Sequence, residues 1–455
     1  MRKNTLLISV GCALTVMAMT AVWAVAGTTL GGLTFSDTPL LRPEGNSEPA
    51  ISIANNGAMA ITGLQWLFNP NFFGTHLWTG PFGSTPAFRG LIDAALQKSG
   101  KQIFGSGDAD LDLGSTGTLH ASTLIFLINP TFNNAQLGVS AIFCLNATSG
   151  SFSGANCAEQ IIDTAGADRP WITSEGLHVY ISYHDSGRSS LIHVQRSDDD
   201  GQTWRRAGDP IVGQGATTGS ATFNNDQGPI VADPFTHNVY AIYAAGEPGI
   251  QKATSASFNN IFVSRSTDRG ESWTANLVYH APLFTALNNV FPSLAVDPVN
   301  GKLYAVWSDA HQTFFSASTD MGSHWSAAMK VNIAPANTAV FPWVAAHNGA
   351  VDVVYYATTA GSKDDTSAVW NVYLAQTFNN GASFTQSKVS NASNHVGVIC
   401  TLGSGCADGT RNLLDLFEIA IDPQNGRAAI IYTDDTLTTT SSGHPLPQLV
   451  LAQQQ

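Results

Sequence analysis

One eight-residue pattern recurs through this 455-residue chain from Ser197 onward and constrains its fold more than any other feature. It reads SDDDGQTW from Ser197 to Trp204, STDRGESW from Ser266 to Trp273 and STDMGSHW from Ser318 to Trp325. A worn copy, TFNNGASF, runs from Thr377 to Phe384. The shared form is Ser/Thr-x-Asp-x-Gly-x-x-Trp, with Asp199, Asp268 and Asp320 in its third position. Gly201, Gly270 and Gly322 fill the fifth, and Trp204, Trp273 and Trp325 the eighth. The pattern describes a hairpin connection. The aspartate accepts backbone N–H bonds across the turn, the glycine supplies a positive φ, and the indole folds back beneath the loop. The starts at 197, 266, 318 and 377 are 69, 52 and 59 residues apart, a spacing that suits one four-stranded blade with its loops.

A second repeat underlies the first. Asn289–Asp309 reads as proline, alternating apolar residues, an Asp-Pro turn, glycine and an apolar strand. Related hairpins lie at Ser47–Gly63, Asp108–Leu124, Ala167–Gly187, Asp226–Gly246, Val340–Thr359 and Leu416–Asp435. Seven hairpins predict an all-β, seven-bladed propeller of four-stranded antiparallel blades. Six blades plus an accessory strand pair is the alternative. The tail PQLVLAQQQ is expected to supply a strand that closes the ring with the first blade, and Leu30–Leu40 to take part, because an open sheet edge invites pairing. The predicted organisation is a signal peptide over 1–26 and one propeller over 27–455. An insertion at about 64–104, rich in Phe, Trp, Gly and Pro, is expected to cap one face.

Arg2 and Lys3 precede an apolar run from Leu6 that ends Ala24-Val25-Ala26, the form of an export signal with its cleavage site. A retained anchor is the alternative. Cys12 lies inside this run and is a poor lipoprotein site. No later segment is long and apolar enough to span a bilayer. The expected location is therefore secreted or extracytoplasmic. The remaining Cys144, Cys157, Cys400 and Cys406 are an even set, expected to form two disulfides with the local pairing Cys144–Cys157 and Cys400–Cys406. A net charge of −13 argues against a nucleic-acid partner, which requires a basic face.

In a propeller, residues just before each innermost strand face one another across a funnel. In register these include Glu48, Asp110, Asp168 with Arg169, Asp226 with Gln227, Asn289, and Arg411 with Asp415. Asp168, Arg169, Arg411, Asp415 and Glu418 are the candidate catalytic set. Asp108, Asp110 and Asp112 alternate, so a strand would place all three on one face. Clustered carboxylates need a cation, an arginine or a raised pKa, and calcium is the cation that oxygen ligands of this kind would take. No nucleophilic serine elbow and no phosphate-cradling glycine loop is present in the sequence.

The eight-residue repeats, with NSEPAISIANNG, ADRPWI and RNLLDLFEIAIDPQNG, resemble the Asp-box (BNR-repeat) propellers of the sialidase-like superfamily. The resemblance covers most of the chain from about Asn46. It implies three arginines clamping a substrate carboxylate, a tyrosine nucleophile paired with a glutamate, and an acid/base aspartate. The first of those arginines belongs to a Phe/Tyr-Arg-Ile-Pro motif, and here the stretch reads Asn46-Ser47-Glu48-Pro49. Arg42 lies outside the register, while Arg169 and Arg411 are the candidate clamp members. The reading is of a propeller that binds an extracellular glycan or protein, with Trp66, Trp78 and Phe82 as stacking surfaces. Two alternatives stand beside it. One is a glycoside hydrolase working through funnel carboxylates, and the other is a surface-assembly scaffold.

Overall fold

A computed structural model of the chain describes residues 27–65, 74–98, 103–104, 107–129, 134–150, 152–164, 166–185, 191–211, 225–246, 258–287 and 289–455. The expected export signal over 1–26, with Cys12, and Trp66 lie outside these residues. Seven antiparallel sheets surround one axis. Their innermost strands are Asn46–Ile53, Ala109–Leu113, Ala167–Glu175, Asn225–Ala232, Ser293–Val296, Thr338–His347 and Glu418–Ile421, in blades I to VII. Each packs against the next, and the strand of blade VII packs against that of blade I. The molecule is thus a seven-bladed propeller.

Ring closure joins the two ends of the chain. Gln448–Gln454 is the third strand of blade VII, and Phe35–Leu40 lies antiparallel along it as the fourth. Phe35 pairs with Gln454 and Leu40 with Leu449. Gly27–Leu30 runs parallel to Ser383–Lys388 on the outside of blade VI. The C-terminal tail therefore closes the ring with the N-terminal strand rather than with blade I.

Most of the expected insertion is ordinary blade. Thr75–Pro81 and Ala87–Leu91 are the third and fourth strands of blade I. The first five residues of Thr75–Pro81 are all buried, so this strand lacks the period-2 alternation that marks a half-exposed one. Trp78 is only 3% exposed and packs with Ile61, Leu449 and Leu451 between blades I and VII, and Phe82 packs against the same cluster. The Trp78 ring therefore offers no sugar platform, and Phe82 is half-buried.

The Ser-x-Asp-x-Gly-x-x-Trp segments join the third and fourth strands of blades III, IV and V. In blade III, Asp199 Oδ1 accepts from Ser197 Oγ at 2.8 Å and from the Thr203 amide at 2.8 Å, while Trp204 Nε1 donates to the Gly201 carbonyl at 3.0 Å. Gly201, Gly270 and Gly322 have φ of 84°, 86° and 79°. In the worn copy, in blade VI, Asn379 Oδ1 accepts the Ser383 amide at 3.0 Å, which is why asparagine serves there. The disulfides are Cys144–Cys157 and Cys400–Cys406. No helix among the described residues is long and apolar enough to cross a membrane.

Candidate functional site

An X-Pro step near the start of the innermost strand shapes the funnel. Proline has no N–H to give the ladder, so pairing must break there. In blades I, III, IV and VI the strand absorbs the break as a one-residue bulge, between Ser47 and Ala50, Asp168 and Trp171, Gln227 and Ile230, and Val340 and Trp343. Three of the residues preceding proline are non-glycine and left-handed: Glu48 (φ 49°), Arg169 (φ 45°) and Phe341 (φ 54°). This conformation costs an L-residue about 1–2 kcal/mol, and in blades I and III it belongs to the two charged residues at the heart of the site.

Arg169 is 3% exposed. Its Nη1 lies 3.6 Å from Glu48 Oε2 and 3.8 Å from Asp108 Oδ1. Its Cζ sits 4.0 Å above the Trp171 ring, with Phe291 at 5.7 Å. Trp171 in turn meets Trp343 and Phe291 at 5.2 and 5.5 Å, so an aromatic cluster lies beneath the charges. The two contacts at Nη1 set an upper bound on the separation of the Glu48 and Asp108 oxygens.

Above this layer is a cavity of about 420 Å³. Asp108, Asp168, Arg169, His184, Asp226, Gln227, Arg411 and Asp415 supply its polar wall. Leu64, Leu124, Phe126, Val290 and Phe291 supply the apolar wall. Thr401, Leu402 and Gly403 reach it from the loop closed by Cys400–Cys406, and Thr401 Oγ1 donates to Asn289 Oδ1 at 3.2 Å across the opening. Asp168 Oδ1 accepts its neighbour's amide, Arg169 N, at 2.9 Å. Arg411 grips Asp415 with two nitrogens.

Burial and like charge raise the acids of this site. Burial, followed by the charge of Asp108, pushes Asp168 up to about 6. The same two causes carry Glu48 well above the carboxylate range, opposed by Arg169. Burial also raises Asp415 against the lowering effect of Arg411. A carboxyl group held protonated near neutral pH beside a carboxylate can give a proton to a leaving group while its neighbour takes one from water.

Among the sequence candidates, Asp168, Arg169, Arg411, Asp415 and Asp108 meet at the cavity. Glu418 does not: its Oε2 accepts the Ile51 amide of blade I at 3.0 Å, and burial raises its pKa well above normal. The alternating aspartates likewise do not converge on one point. Asp110 Oδ2 accepts the Ile172 amide of blade III at 2.9 Å, and Asp112 Oδ2 accepts Ser174 N and Oγ at 2.7 Å each. Asp112 Oδ1 also accepts Ser52 Oγ of blade I at 3.3 Å. Asp110, Asp112 and Glu418 stitch neighbouring inner strands together, and Asp108 alone of the alternating acids faces the funnel. Among the described residues, no three His, Cys, Asp or Glu side chains are arranged to hold a metal ion. Glu48 was legible as a funnel position but not as a partner of Arg169. The signal that could have exposed the pairing is the shared X-Pro step, Glu48-Pro49 and Arg169-Pro170.

Fold and site together define a seven-bladed β-propeller with an acid-rich funnel. No family model matches the chain, and no curated protein matches its sequence. Among solved structures it is similar to the phage phi92 endosialidase, at 9% identity and a TM-score of 0.50, over 93% of this chain and 69% of that one. It is also similar to a PL25 ulvan lyase (10%, TM-score 0.49, 92% and 93%). A third is the α-L-arabinofuranosidase of Fusarium graminearum (14%, TM-score 0.46, 71% and 91%). At these identities the likeness is one of fold.

Proposed function

We propose that this protein is an exported, carbohydrate-active propeller that hydrolyses a glycosidic bond in its funnel. The observation that carries the reading is the set of buried acids around Arg169 at a cavity of about 420 Å³, a size within the usual range for small-molecule sites. In this reading Asp168 is the acid. Its proton passes to the glycosidic oxygen as the C1–O bond breaks. Asp108, ion-paired with Arg169, takes a proton from the water that attacks C1. Asp108 then releases its proton to solvent and Asp168 takes one back, so one water is consumed and no other reactant is needed. Glu48 positions Arg169 from behind. The phage endosialidase of similar fold, an enzyme named for a glycan, supports the carbohydrate assignment. The two disulfides suit an oxidising compartment.

A second reading is glycan capture without turnover. It draws support from Asp415, whose two oxygens are both held by Arg411 and so are less available for chemistry. A panel of fluorogenic glycosides separates the two. Turnover by the wild type that falls at least about a hundredfold in Asp168→Asn, with folding intact, is expected for the hydrolase. Glycan binding without turnover on any substrate would favour capture.

A further inference from the structure

We infer that His395 is a positioning residue for the funnel, where it anchors the disulfide-closed loop that forms one side of the cavity. The inference goes beyond the hydrolase reading and rests on it only for the kinetic part of its test. None of the described residues of blade VI, Thr338–Lys388, lines the cavity. The loop that follows blade VI stands there instead, with Thr401, Leu402 and Gly403 in the wall. Thr401 reaches Asn289 ahead of blade V, and Arg411 leads into blade VII. The loop starts on one blade and ends on another, so its place in the wall depends on how its two ends are tied together. At the near end, the Gly397 amide donates to the Ala368 carbonyl at 2.8 Å and the Ile399 amide to the Lys363 carbonyl at 3.1 Å. His395 and Val396 pair with Trp370 and Val369. His395 is buried, and each of its ring nitrogens faces an acceptor. Nδ1 lies 2.9 Å from Asp435 Oδ2, just past the second strand of blade VII, and Nε2 lies 3.2 Å from the Val398 carbonyl oxygen. The same Asp435 oxygen accepts Asn412 Nδ2, next to Arg411, at 2.8 Å. One buried carboxylate thus holds the far end of the loop directly and the near end through the imidazole. The disulfide ties Cys400 to Cys406 within the loop but fixes neither end to a blade. A wall segment left loose must be ordered each time a ligand binds, which weakens binding without touching the reacting groups.

The test is amide hydrogen exchange over residues 398–411, with 351–358 of blade VI as an internal control. In His395→Ala the loop should exchange about fivefold faster than in the wild type, the scale of one lost hydrogen bond, while the control is unchanged. His395→Gln offers a donor in place of Nε2 and should recover part of the protection. Should His395→Ala fail to fold, Asn412→Ala releases the other end and should show the same quickening. On a fluorogenic glycoside that the wild type turns over, the alanine variant should raise KM about fivefold and leave kcat within about twofold, the pattern of lost binding rather than lost chemistry. Loop exchange at the wild-type rate in a folded alanine variant would overturn the inference and leave the hydrolase reading standing. Quickened exchange with KM unchanged would overturn it as well, because the loop would then be no wall of the site. Quickened exchange in a protein that turns over no glycoside would overturn the hydrolase reading and leave His395 as the anchor of the loop.

Discussion

Arg411 and Asp415 form a two-point pair in which Nε meets Oδ1 at 3.0 Å and Nη2 meets Oδ2. The pair fixes the segment that runs from the Cys400–Cys406 loop into blade VII, and so sets one wall of the cavity. Lysine keeps the charge but cannot supply the fork. We expect Arg411→Ala to cost about 3 kcal/mol, because it strands a buried carboxyl group. Arg411→Lys should cost about 1 kcal/mol, the scale of one lost hydrogen bond. Urea denaturation measures both; equal losses would show that the fork, not the charge, holds the segment, and a lysine variant as stable as the wild type would show that charge alone holds it.

The raised acid of Asp168 predicts a pH profile. Its proton must be present for donation, and the group titrates near pH 6 in the folded protein. Turnover at low substrate should therefore fall above pH 6, by about tenfold per pH unit once the group is ionised. Asp168→Asn should abolish that limb along with most of the activity. A limb that survives in the variant would assign the donor elsewhere.

Asp352 in blade VI is fully buried, with Oδ1 accepting Gln376 Nε2 at 2.8 Å and Oδ2 unpaired. Burial raises it to about 7 from 3.8, so the native state holds its proton more tightly than the unfolded chain does. The associated stability is complete below about pH 4 and is lost as pH rises through 7. Asp352→Asn cannot ionise. It should gain on the wild type between pH 4 and pH 8, each tenfold difference in proton affinity between the folded and unfolded states being worth about 1.4 kcal/mol. Thermal melts across that range check it, and parallel curves would exclude Asp352 as a source of pH sensitivity.

Asp112 joins blades I, II and III through Ser52 and Ser174. Replacing it with alanine leaves the Ser174 amide without its acceptor and should cost about 2–3 kcal/mol. The calcium expectation can be checked on the same proteins. With the Asp110 and Asp112 carboxylates already accepting amides, EDTA should leave the wild-type melting temperature unchanged. A clear fall that calcium restores would show that a cation contributes to this junction.

The blade count was legible because each repeat ends its inner strand with a punctuated turn. The Asp-Pro steps at Asp233, Asp297 and Asp422 are one example: the Asp297 carboxylate caps Val299 N in its own turn and reaches Asn348 N and Gly349 N of the next blade. Local chemistry of that kind is written in adjacent residues. The cavity was only partly legible. Register placed Asp168, Arg169, Arg411 and Asp415 around one axis. Register could not show that Glu418 and Asp110 turn toward the backbone of a neighbouring blade, because that partner lies about sixty residues away in sequence or further. The outer half of blade I was misread for a related reason. Trp78 is buried by residues of blade VII, including Leu449, and nothing in the local pattern announces that neighbour.

The pairing of Phe35–Leu40 with Gln448–Gln454 has a consequence for how the molecule is made. A ribosome delivers Phe35–Leu40 long before Gln448–Gln454, with six blades and most of the seventh made in between. Between those moments the early strand has no partner, and blade VII lacks its outer edge. Closing a loop of that length is slow, since the chain entropy must be lost before the contact can stabilise anything. Closure of the ring therefore waits for these two distant strands to meet. Without Gln448–Gln454 the ring of blades would have one seam open.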